Sequence, residues 1–312
     1  TDGRTGTASN EEGEFSLKLP TLPQQLTVLS IGYERAVIAV AQAGPLPAPV
    51  VLRASAVRLP EIIVRANAEA EELVRRCYAK LLRHQADVQY GRGFYRQKTR
   101  EDGHYREVFD AFYDVKITPR TMPSWVLGEA RYALTPGVLT MSNFSVYTRS
   151  LPLFVVPDAA VRTAIPLGPN AVERFGFVLR QTQRDQGREL AVIDFAPRDP
   201  TDKVSRGTLY IDVRTAALFR IEKEMPSQGL FNSDNAAIQL TQASLHVITD
   251  FSVQNDSLTR VAGTRAVATM RLLVKGVPHE STTTSYFFVY EYGPPTPGQK
   301  YRETNQSMVD LA

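Results

Sequence analysis

Beyond residue 93 the chain is dominated by long segments in which polar and apolar residues alternate, and this alternation limits what it can fold into. A two-residue period sends successive side chains to opposite faces, as in a half-buried strand. Phe94–Arg100 and Tyr105–Lys116 flank Glu101-Asp102-Gly103, and Asp-Gly is a strong hairpin signal. Phe175–Gln183 and Glu189–Phe195 bracket Asp185-Gln186-Gly187, and Gly207–Asp212 and Ala217–Glu224 bracket Val213-Arg214-Thr215. Ile238–Val253, Leu258–Val274 and Ser281–Tyr292 follow, with turns at Asn255-Asp256 and Gly276-Val277-Pro278. Long strands in simple sequence order predict one curved antiparallel sheet over residues 89–298, with 299–312 as a tail. Prolines crowd residues 120–170, where a short helix is expected around Asp158–Thr163.

The period changes ahead of this sheet. Leu73, Val74, Cys77, Tyr78, Leu81 and Leu82 recur at three- and four-residue spacing, which marks one helix face. Acidic residues come early (Glu69, Glu71, Glu72) and basic ones late (Arg75, Arg76, Lys80, Arg83), complementing the helix dipole and allowing Glu71–Arg75 and Glu72–Arg76 pairs. Residues 66–88 are therefore read as a linking amphipathic helix. Residues 1–65 read as short strands and turns: Glu14–Leu19, Leu26–Ile31, Ala36–Val40, Val50–Leu52 and Ile62–Val64. Gly13, in the turn before Phe15, is expected at positive φ.

Few kinds of chemistry survive inspection of the sequence. The net charge is +3 with no run of like charge, so nucleic acid is excluded as a partner. No apolar stretch approaches the ~20 residues of a spanning helix. The single cysteine, Cys77, lies on the apolar helix face and is read as an inert core thiol. No nucleophile-elbow, zinc-protease, phosphate-loop or dinucleotide motif is present, and Gly91-Arg92-Gly93 lacks the third glycine of the last of these. His84, His104, His246 and His279 fall in different elements without metal-ligand spacing. No catalytic residue, metal site or cofactor is assigned.

Aromatic residues give the one candidate site. Tyr286, Phe288, Tyr290 and Tyr292 share a face by the strand period, with Phe287 and Val289 opposite. Phe94 and Tyr95 lie in the first strand of the sheet. If first and last strands are neighbours, Phe94, Tyr95, Tyr286, Phe288 and Tyr290 form an apolar binding surface.

Three stretches, Gly6–Pro20, Leu26–Glu34 and Leu59–Val64, together resemble the carboxypeptidase regulatory-like domain of Gram-negative envelope proteins. The pattern runs Gly-Thr-x-Ser-Asn-x-x-Gly-x-Phe-x-Leu, then Ser-x-Gly-Tyr, then Leu-x-Glu-Ile-x-Val. The resemblance implies a transthyretin-like β-sandwich over residues 1–65, no catalytic residues, and opening strands that lie upstream of Gly6. Phe94-Tyr95-Arg96 and Gly207-Thr208-Leu209-Tyr210-Ile211-Asp212 more loosely resemble the region that follows that domain in one envelope family. The second motif also looks like hairpins of periplasmic lipoprotein-carrier-like sheets, which hold acyl chains.

The expected fold is thus mainly β: a partial transthyretin-like sandwich, a linking helix and a larger curved antiparallel sheet. The expected function is a non-catalytic binding or structural protein of the cell envelope, in the periplasm or at the outer membrane. Its candidate partners are an envelope protein, a lipid or a glycan, with peripheral outer-membrane association. Two other readings stand beside it: a periplasmic lipid or lipoprotein carrier, which needs an apolar uncovered sheet face, and a hydrolase, which needs ionisable groups converging in a cleft.

Overall fold

The computed structural model describes residues 7, 9, 13–19, 21–22, 24–28, 33, 36–53, 66–137, 165–185, 187–202, 204–225, 238–254 and 258–302. In chain order the elements are β1 (Gln24–Val28), β2 (Ala36–Val40), α1 (Ala66–Arg83), β3 (Gln89–Glu101), β4 (His104–Ile117), β5 (Ser124–Leu134) and α2 (Ala171–Arg174). There follow β6 (Phe175–Asp185), β7 (Arg188–Pro197), β8 (Arg206–Asp212), β9 (Leu218–Met225), β10 (Ile238–Gln254), β11 (Leu258–Val274) and β12 (Val277–Gly293).

Strands β3 to β12 form one curved antiparallel sheet in the order β5-β4-β3-β12-β11-β10-β9-β8-β7-β6. The chain meanders from β3 to the β5 edge, restarts at the β6 edge and meanders back. The last strand therefore lies against the first, with Phe287 opposite Tyr95 and Phe288 opposite Phe94. Local turn chemistry sets the hairpins. Asp102 and Gly103 have φ of 50° and 81°, and Lys275 and Gly276 have 51° and 84°, the paired positive values that a two-residue loop needs to match strand twist.

One face of the sheet packs on α1. Leu73, Val74, Cys77 and Leu81 sit in a core with Phe175, Phe177, Ile193, Phe195 and Leu209, so the helix docks on β6 and β8. Cys77 is fully buried there, and burial pushes its thiol up to about 12, against a smaller lowering by Lys80; a thiol that stays protonated is no nucleophile. Polar bonds fix the helix ends. Arg198 holds Glu71 at 2.8 Å, and Lys80 donates to the Thr215 carbonyl at 3.2 Å. Arg75 pairs with both Glu71 and Glu72, whereas Arg76, expected opposite Glu72, donates to the Arg214 carbonyl at 3.1 Å.

The sandwich expected over residues 1–65 is corrected. Its described residues carry one ladder, β1 with β2, and none of them is buried. Two sheets packed face to face would bury alternate residues of each, and such a core is absent among these residues. Val50–Leu52 belong to no strand, and Glu14–Leu19 run without a ladder. Gly13 does sit at φ of 81°. The segment Ile62–Val64 and the short helix expected at Asp158–Thr163 lie outside the described residues.

Candidate functional site

The face of the sheet opposite α1 carries the site. Because directly paired residues share a face, Phe112, Phe94 and Phe288 line up across β4, β3 and β12. Their rings touch: Phe94 lies 5.0 Å from Phe112 and 5.8 Å from Phe288, centroid to centroid. Tyr290 extends the cluster, 6.2 Å from Phe288 and 6.3 Å from Phe112, and Tyr286 lies 5.5 Å from Phe288. Tilted and edge-on arrangements at these separations are favourable for aromatic pairs. At the β11 end of the row stands Gly263, where a Cβ would come within 2.8 Å of the Phe287 carbonyl.

This aromatic floor is roofed. Glu14, Phe15, Ser16, Leu17 and Lys18 line it from the other side, and floor and roof enclose an open cavity of about 950 Å³. That is the upper end of the roughly 300–1,000 Å³ range of small-molecule sites. The next row along the strands is charged: Asp110, Arg96, Tyr286 and Arg265 are cross-strand neighbours. Asp110 accepts from Arg96 Nε at 2.7 Å and Nη2 at 2.9 Å, and from Arg131 at 2.7 Å. Burial would raise the Asp110 carboxyl, but these two guanidiniums outweigh it and hold it below the ordinary carboxylate range. Lys98 follows one row further on. Burial, and then the Asp250 carboxylate, push the Tyr286 hydroxyl up to about 12, so it stays neutral.

Of the residues expected in the surface, Phe94, Tyr286, Phe288 and Tyr290 line this cavity. Tyr95 does not: it points to the core face, is fully buried, and donates to Gln97 Oε1 at 2.8 Å. Tyr292, expected on the face of Tyr286 and Phe288, is also on the core face, where its hydroxyl donates to the Val261 carbonyl at 2.6 Å. The cause is a bulge. Val289 pairs with Gly93 and Glu291 with Arg92, which leaves Tyr290 as the extra residue and reverses the alternation after it. Phe112, Phe15, Leu17 and the cations Arg96, Lys98 and Arg265 were missed by the sequence reading. Phe112 was not legible from the Asp102-Gly103 turn, which sets Arg100 opposite Tyr105: an irregularity between Thr99 and Arg100 then shifts the register by one residue and brings Phe112, not Ala111, opposite Phe94.

Glu101, Asp102 and His279 bring one possible ligand atom each to within 4.8 Å of one another, a grouping the sequence reading did not foresee. Their bonds give it a structural role. Asp102 accepts from the Glu280 backbone N–H at 2.9 Å and contacts His279 Nδ1 at 2.7 Å, which pins two hairpin ends together. The backbone bond first, and His279 second, hold the Asp102 carboxyl low. Arg106 stands 3.5 Å from Glu101 and opposes a further cation there.

No family model and no curated protein match the sequence. Among solved structures, the chain is similar to a DUF1329 family protein from Desulfovibrio piger, at 12% identity and a TM-score of 0.25, over 77% of this chain and 97% of that one. A putative outer membrane lipoprotein-sorting protein domain from Vibrio parahaemolyticus gives 11% identity and a TM-score of 0.25, over 74% and 95%. MucB gives 12% identity and a TM-score of 0.23, over 71% and 93%. These neighbours are not carboxypeptidase regulatory-like domains, and the resemblance drawn from residues 6–34 and 59–64 is corrected. A glycine turn followed by a short alternating strand fits an exposed segment as well as a sandwich. Here Phe15 and Leu17 cover the aromatic face of the large sheet instead of a sandwich core.

Proposed function

We propose that the chain is a non-catalytic binding protein of carrier type, working in the cell envelope, whose outer sheet face takes an elongated apolar ligand such as an acyl chain. Of the readings open at the sequence level, the carrier one fits best. The observation that carries it is the roofed cavity of about 950 Å³ with a floor of Phe94, Phe112, Tyr286, Phe288 and Tyr290. Aromatic side chains left partly open on the face away from the core gain by desolvating a ligand, at roughly 25 cal/mol per Å² of apolar area before ordering costs. No helix among the described residues is long and apolar enough to cross a membrane.

The test is titration of a fluorescent acyl probe. Saturable binding is expected, weakened roughly tenfold or more by Phe94→Ala combined with Phe288→Ala, the size of effect given by central aromatic anchors. Absence of saturable binding by the intact chain would reject the proposal, as would turnover of an ester or peptide substrate abolished by one substitution in the cavity.

A further inference from the structure

The cavity is not uniform along the strands, and the gradient points to a ligand with two ends. At one end lies the aromatic row of Phe112, Phe94 and Phe288 with Tyr290 beside it. Two residues on, roughly 7 Å along a strand, come Arg96 and Arg265. Two further on comes Lys98, and the roof adds Lys18. Among the described residues the lining thus holds four cations, Arg96, Lys98, Arg265 and Lys18, against one carboxylate, Glu14. Arg96 is engaged by Asp110. Asp250, which lines the adjoining space beside Arg265, is held by Arg220 at 2.6 Å. Among the described residues Lys98, Arg265 and Lys18 have no carboxylate within ion-pairing distance, and Lys98 instead lies 5.6 Å from the centre of the Tyr105 ring.

We infer that the ligand is an anionic amphiphile: its apolar tail lies on the phenylalanine row, and its carboxylate or phosphate head is met by Lys98 and Arg265, with Lys18 closing from the roof. This rests on the proposed function and adds the ligand's charge. Cations at the edge of an apolar cavity act in partly desolvated surroundings, where charge-assisted hydrogen bonds to an oxyanion are about twice as strong as neutral ones. Separate groups for tail and head make selection by head group independent of affinity for the tail.

The experiment compares a fluorescent dodecanoic acid with its methyl ester on the intact chain, and on Lys98→Gln combined with Arg265→Gln. The acid is expected to bind roughly tenfold tighter than the ester, with the preference shrinking at high salt, where ion pairing is screened. The double variant is expected to erase the preference of acid over ester. Equal affinities for acid and ester on the intact chain overturn the inference while leaving the proposed function standing. Failure of both probes to bind overturns the proposed function and the inference with it. Dodecyl phosphate and inorganic phosphate form the control arm. Displacement of the acid by dodecyl phosphate alone supports an amphiphile, and equal displacement by inorganic phosphate overturns it in favour of a simple anion site.

Discussion

The two faces of the β3–β12 seam reverse the usual arrangement of side chains. On the core face, after Tyr95, Phe109 and Phe287, the buried residues turn polar: Gln97, Thr99, Glu107, Thr283 and Ser285 are all at or below 1% exposure. On the opposite face the residues are aromatic and partly open, and Phe112 is 45% exposed. Gln97, Thr99, Glu107 and Thr283 hold one another. Glu107 accepts from Gln97 at 2.9 Å, Thr99 at 3.0 Å and Tyr132 at 3.1 Å, and Thr99 meets Thr283 at 3.0 Å. A fold maximising apolar burial would exchange these two sets. Rings kept away from the core, beside a polar network kept within it, indicate that the outer face is reserved for something other than stability.

Neighbouring residues on one strand give the largest test of this contrast. Phe287→Ala should cost about 3–5 kcal/mol, because a fully buried ring is removed from the core. Phe288→Ala, one residue on and facing outward, should cost less than about 1 kcal/mol. Denaturant melts of the two variants check this, and equal losses would show that the faces are wrongly assigned.

Next in size is the polar side. Glu107→Ala should cost about 3 kcal/mol, since three donors lose a buried acceptor at once. Glu107→Gln keeps an acceptor oxygen and should recover a good part of that loss. A Glu107→Ala variant as stable as the parent chain would mean that the network contributes nothing to the seam.

Gly93 sharpens the packing argument. A Cβ there would lie 2.5 Å from the Phe287 ring, so the ring must shift or the strands part. Gly93→Ala should cost about 1–3 kcal/mol, and the loss should shrink in a Phe287→Leu background, where the opposing ring is gone.

A separate, pH-dependent effect is expected at Lys223, which faces the core opposite Val247. Burial lowers its ammonium to about 8. Its ordinary value is higher, so between the two the unfolded chain binds more protons and stability rises with pH. Below pH 8 the charged form is present in both states, and its desolvation weakens the fold. Lys223→Met should raise the melting temperature at pH 7, and the gain should narrow towards pH 10. A gain independent of pH would assign the effect to packing alone.

Much of the sheet was legible because its signals are local. Asp102-Gly103 fixes one hairpin, and the spacing of Leu73, Cys77 and Leu81 fixes the helix face. Pairing of β12 with β3 joins residues far apart in sequence, and no local pattern states it. The bulge at Tyr290 was equally silent, so strict alternation put Tyr292 on the wrong face. Tyr95 was misplaced for a simpler reason: as the immediate neighbour of Phe94 in a strand it has to face the other way. At the other end of the chain, local pattern suggested a sandwich where the structure has a roof segment outside any ladder, because alternation at Phe15 and Leu17 does not say which sheet the apolar side chains will cover.

The central claim is that the outer face binds and the inner face holds the fold. Its most direct test is the affinity of a fluorescent acyl carboxylate for Phe288→Ala and for Phe287→Leu, each under conditions where the variant is fully folded. The account predicts a large loss of affinity for Phe288→Ala at near-parental stability, and near-parental affinity for Phe287→Leu despite its lower melting temperature. Unchanged affinity in Phe288→Ala, or an equal loss in both, would contradict it.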